Sequence, residues 1–170
     1  LLVDHLRFDS GRIFGPTPIH VRKTFEWTSG TLETDAVIRI QPDAVATWRS
    51  NDKTVSGTVR NAGRILWQSG NLFGSGFIHN QTSGLVELLG DNTLFNATLQ
   101  NDGALSKSDS TGTSVVWSDF QNRGSVLLNS GDLALRGTGY HPGSFTVGPG
   151  SSLILGRSFQ SFAPGSIVAG

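Results

Sequence analysis

At 170 residues the chain is the size of one domain, and 13 Lys+Arg against 13 Asp+Glu leave no net charge. That balance removes the long-range basic field on which nucleic-acid or acidic-membrane binding depends. The absence of Cys excludes disulfides, thiolate catalysis and Cys-based metal sites.

Charged residues make up only 15% of the chain, below the roughly 25% of an average soluble domain. Ser, Thr, Asn, Gln and 22 Gly take their place, a mixture with poor helix propensity that suits strands and turns. The start at Leu1-Leu2-Val3 and the end at Val168-Ala169-Gly170 predict a segment of a longer chain. No apolar run approaches the roughly 20 residues of a membrane span, so no membrane insertion is expected in this segment.

In chain order, residues 1–18 read as a looser N-terminal coil, 19–144 as regular repeats and 145–170 as C-terminal coils of one segment. The strings VRNAGRILW from Val59, IHNQTSGLVEL from Ile78, LQNDGALSK from Leu99 and FQNRGSVLL from Phe120 share one pattern. An apolar residue, a polar one and Asn precede a short Gly turn and a run of alternating apolar residues. Their first residues lie 19, 21 and 21 positions apart. IHVRKTFEW from Ile19 and IQPDAVATW from Ile40 are looser members, with Val21 or Pro42 where Asn would stand. After a gap of 25, FTVGPGSSL from Phe145 is read as continuing the opening column.

Two columns follow the turn. One holds Phe25, Ala46, Ile65, Val86, Leu105 and Val126; the other holds Trp27, Trp48, Trp67, Leu88, Lys107 and Leu128. The position between them is mixed, which is the period-two signature of a strand with one buried face. A unit of about 20 residues cannot bury its own apolar face, so neighbouring units must stack. The expectation is an all-β, single-stranded parallel β-helix (β-solenoid) of about eight coils of 19–25 residues. Right-handed coiling is the default for parallel crossovers. Turns are placed at Ser69-Gly70-Asn71, Gly90-Asp91-Asn92, Ser130-Gly131-Asp132 and the Pro-Gly-Ser strings at Pro142, Pro149 and Pro164.

Asn61, Asn80, Asn101 and Asn122 recur at one phase, and stacked amides there satisfy the backbone polar groups of a tight corner. Asn80 and Asn96 also open Asn-x-Thr acceptor strings, and at Asn80 a sugar competes with the ladder. Trp27, Trp48 and Trp67 share the phase of the buried column, which predicts an interior aromatic ladder with each ring lying over the next. Lys107 interrupts that column, so either the coil rearranges or the amine reaches solvent.

No cofactor is expected. Calcium is the one ion with a case, from Asp52, Asn71, Asp91, Asn92, Asp109 and Asp132 in the second turn region, but Asx turns explain these residues without metal. His5, His20, His79 and His141 are dispersed and form no zinc motif. No catalytic residue is assigned: Glu26 and Glu87 lie three coils apart, and Asp102, Asp109 and Asp119 crowd near Lys107 as turn carboxylates. The longest intercoil insertion is read as Arg136 to Ser144, with Tyr140 and His141 at its tip as the candidate ligand-binding pair.

The strings FEWTSGTL, ILWQSGNLFGSGFIHNQTSG, VLLNSGDLALRGTG and FTVGPGSSLIL resemble the degenerate repeats of extracellular β-helix proteins of the bacterial adhesin, autotransporter passenger and filamentous haemagglutinin-like type. The resemblance implies a non-enzymatic structural or adhesive module, extracellular or at the cell surface. Its partners would be the flanking coils of the parent chain, with glycans or other surface proteins as further ones and no nucleic acid. A carbohydrate-binding or polysaccharide-degrading β-helix fragment is the alternative. Ice binding would need outward Thr arrays, which Thr47 does not begin.

Overall fold

The computed structural model describes residues 1–156, 158–164 and 166–169, which form a β-solenoid of about eight turns with no helix among the described residues. Gly165, within the turn string expected at Pro164, lies outside them. Each coil has three strand stations. The strand before the turn is Val37–Ile40, Thr58–Asn61, Phe77–Asn80, Thr98–Asn101, Phe120–Asn122, Gly139–His141 and Gln160–Phe162 in successive coils. The strand after it is Val45–Trp48, Arg64–Trp67, Leu85–Leu88, Ala104–Lys107, Ser125–Leu128 and Ser144–Val147. The unbroken strand Ile19–Trp27 spans both stations in its coil and joins the two stacks into one sixteen-stranded sheet. The return strands, from Arg12–Ile13 and Gly30–Leu32 to Ser152–Leu155, make a separate eight-stranded parallel sheet.

Alternation decides which side chains fill the rod. Most of these strands read intermediate, buried, intermediate, buried, because successive Cβ atoms point to opposite faces of a sheet. The inward set from Phe25 and Ile38 through Ile65, Leu72, Val126 and Phe145 forms one continuous cluster. At about 25 cal/mol per Å² of apolar surface, a buried Leu or Ile contributes on the order of 2 kcal/mol. The turn glycines are required by the stacking. A Cβ on Gly103 would collide with the Gly84 and Gln81 carbonyl oxygens, and one on Gly124 with that of Gly103.

The register corrects the expected frame at both ends. Ile38, not Ile40, is the partner of Ile19 and Val59, so Ile40 rather than Pro42 occupies the Asn position beside Asn61. The cause is turn length: four residues, Gln41 to Ala44, separate the strands here, against two, Ala62 and Gly63, in the next coil. Phe145 pairs with Val126 in the column after the turn and does not continue the opening column. Gly139 takes that place opposite Phe120, so Arg136 to Ser144 is no insertion; Gly139–His141 is an ordinary strand.

Candidate functional surface

Among the described residues the interior is filled by packed and hydrogen-bonded side chains. Asn61, Asn80, Asn101 and Asn122 are fully buried. Each amide nitrogen donates to the next Oδ1, at 2.8 Å from Asn61, 2.7 Å from Asn80 and 2.8 Å from Asn101. The same nitrogens donate to the carbonyls of Leu85, Ala104 and Ser125 in the strand past the turn, and Asn122 donates to Ser144. These bonds tie the amides to the start of the following strand, each bond being worth about 0.5–1.5 kcal/mol net. Burial of Asn80 puts its nitrogen beyond a glycosylating enzyme, whereas Asn96 is exposed in a left-handed turn with φ 65°.

His141 is also part of the interior. In place of the loop tip expected for it, the ring sits fully buried at the Asn position, packed against Phe120, Phe145 and Phe162. Its Nε2 shares a hydrogen bond of 2.7 Å with Gln160 Oε1, and burial lowers its pKa more than that bond raises it. Tyr140, one residue earlier, points outward and is 48% exposed.

Trp27, Trp48 and Trp67 are buried in one column, with centroids 5.6 Å apart and planes at 84° and 66°. The rings therefore meet edge to face rather than lying flat over one another, the arrangement their quadrupoles favour. Beside them is an apolar void of about 20 Å³, no larger than about one water.

Lys107 takes neither of its expected courses. Its side chain is completely buried in a regular strand, and Nζ donates to Asp91 Oδ1 at 3.1 Å, Gly90 O at 3.3 Å and Ser110 Oγ at 3.3 Å. Hydrogen bonds from Ser110 and Lys107 hold the Asp91 carboxyl below the usual range against its partial burial. Lys53, which sequence reasoning passed over, is buried with only carbonyl partners, Asn51 O at 2.7 Å and Ser69 O at 3.4 Å. Burial pushes its pKa down to about 8, with Asp52 opposing.

Carboxylates are dispersed along the outside. Arg64 bonds Glu87, Arg49 reaches Glu26 at 3.2 Å, and His79 Nε2 meets Asp102 Oδ2 at 2.7 Å. Asp119 accepts from Thr138 Oγ1, so Asp102, Asp109 and Asp119 do not converge on Lys107. Among the described residues no three His, Asp or Glu side chains gather as metal ligands.

Two outward columns stand out, and neither was read from the sequence. On the return sheet, Phe73 and Phe95 stack at 4.9 Å with planes 3° apart, and Trp117, 52% exposed, follows one coil on. The dipeptides Leu72-Phe73, Leu94-Phe95 and Val116-Trp117, each 22 residues from the last, were the available signal. On the strands before the turn, His20, Arg39, Arg60 and His79 are in register on four consecutive coils. Gln100, Gln121 and Tyr140 continue that column, and a shallow cleft lies at its end between Asp119, Gln121, Tyr140 and Phe159. No protein-family model, curated protein or solved structure matches this chain.

Proposed function

We propose that this chain is a non-enzymatic structural or adhesive module of a secreted or cell-surface β-helix protein. The observation that carries the reading is the outward column of exposed Phe73 and Trp117 with half-buried Phe95 between them, along the return sheet. Contiguous exposed aromatics on a soluble fold mark contact surfaces. Amphipathic Trp and stacked Phe supply large contact area with little conformational entropy to lose. The rod supports the reading too, since each strand edge is satisfied by the next coil, and flanking coils of a parent chain would cover its ends.

The test is retention of the purified chain on immobilised polysaccharides and surface proteins, with and without calcium, alongside a depolymerisation assay. Retention without depolymerisation is expected, reduced at least about tenfold by Phe95→Ser together with Trp117→Ser. Depolymerisation of any polysaccharide would replace this reading with the carbohydrate-degrading one.

A further inference from the structure

Arg39 and Arg60 are in register on adjacent strands, one strand spacing of about 4.8 Å apart, both on the outward face. Like charges directly opposite each other across a ladder destabilise it. Four other arginines are paired with acid across coils, Arg12 with Glu33, Arg22 with Asp4, Arg49 with Glu26 and Arg64 with Glu87. Arg39 and Arg60 have no carboxylate within 4.0 Å among the described residues. Their flanking outward positions are Val37 and Gln41, and Thr58 and Ala62, none acidic. Each Nε is buried and makes no hydrogen bond. The covered Nε atoms are out of a ligand's reach, but neither guanidinium has a protein acceptor among the described residues, so the terminal Nη groups of the two neighbouring arginines are left to meet an oxyanion from outside.

We infer that the His20–Arg39–Arg60–His79 column binds the carboxylate or sulfate groups of a linear acidic polysaccharide lying along the rod. The neighbouring groups define the site's limits. Gln41 Nε2 lies 3.4 Å from His20 Nδ1 at one end. At the other, Asp102 takes His79 and the Gln100 amide and so closes the cationic stretch. Beyond it Gln100, Gln121 and the half-exposed Tyr140 continue the same line with amides, a hydroxyl and a ring. That order, anion-seeking groups followed by neutral polar ones, suits a polymer of hydroxylated rings with intermittent charge. A nucleic acid would require more phosphate contacts than two unpaired guanidinium groups on a chain of zero net charge supply. The inference stands apart from the aromatic column, which lies on the other sheet.

The experiment is titration of the full chain with polygalacturonate, sulfated dextran, neutral dextran, polyglutamate and single-stranded DNA, at low and at physiological salt. Arg39→Gln/Arg60→Gln is compared with Arg49→Gln/Arg64→Gln, which removes the same charge from paired sites. Binding of one or both acidic polysaccharides is expected, with carboxylate and sulfate told apart by which polymer binds, and none of neutral dextran. The Arg39/Arg60 variant should lose at least about tenfold in affinity and the control less than about threefold. Thermal unfolding of the Arg39/Arg60 variant should be no lower than that of the parent chain, because a repulsive pair has been removed. Equal losses in the two variants, tighter binding of polyglutamate or DNA, or no binding of either acidic polysaccharide would each overturn the inference.

Discussion

The same corner of the rod is sealed in two ways. In the first coils the position before the turn holds Val21 and Ile40, and the facing column holds Trp27 and Trp48. From Asn61 to Asn122 that position is a continuous amide ladder, and the facing column thins to Leu88, Lys107 and Leu128. Asn61 and Trp67 share the coil where the two regimes meet, and there Asn61 Oδ1 is buried with no donor, its neighbour in the preceding coil being Ile40. Aromatic bulk fixes the buried face but forms no directional bonds from coil to coil. An amide ladder specifies register coil by coil, because a slip of one residue would put every Asn outside.

Buried lysines show the same division. Lys53 in the earlier region is held by carbonyls alone, and Lys107 in the later one by a carboxylate, a hydroxyl and a carbonyl.

The largest effect is expected from Trp48→Ala. The side chain is 1% exposed between two other indoles, and truncation should cost about 3–5 kcal/mol in urea unfolding. A loss under about 1 kcal/mol would mean the aromatic region is loosely packed.

Next comes Asn101→Leu, which leaves Asn122 Oδ1 without its donor and removes the acceptor of Asn80, at about 1–3 kcal/mol. Asn61→Leu should cost less, because its own Oδ1 is already unpaired. Equal costs would show that the ladder acts as separate residues rather than as a chain.

The third effect is a pH dependence. Lys53 has a folded pKa of about 8, below the ordinary 10.5, so between those values the unfolded chain binds more protons and stability rises with pH. Lys53→Leu, which continues the column of Leu72 and Leu94, should flatten that rise in denaturant midpoints measured from pH 7 to 10.5. Persistence of the rise would assign it to another group.

Much of the solenoid was legible because its period is written in residue type. Asn61, Asn80, Asn101 and Asn122 return at one phase, and so do the columns through Phe25 and Trp27, as they must if each coil buries its face on the last. The frame slipped where a turn changed length. Counting back eight residues from Trp48, as Trp67 allows, lands on Ile40 rather than Ile38, because Gln41–Ala44 is two residues longer than its counterpart. At Gly139 the opening residue had no apolar side chain to announce it, and His141 stood where Asn was sought, so a buried strand read as a loop. The candidate surfaces suffered most, since Arg39 lies on the strand whose frame was lost.

The sequence by itself determined the coil length, the parallel stacking and the identity of the two inner columns after the turn, since these follow from side-chain alternation and the need of each coil to bury one face on its neighbour. Only the tertiary structure decided which polar groups are paired. The partners of Lys53, Lys107 and His141 lie up to 19 residues away along the chain, and the lack of partners at Arg39 and Arg60 depends on what the adjacent coils present. Such pairing is settled by turn length and register acting across coils, and no local pattern of residues encodes it.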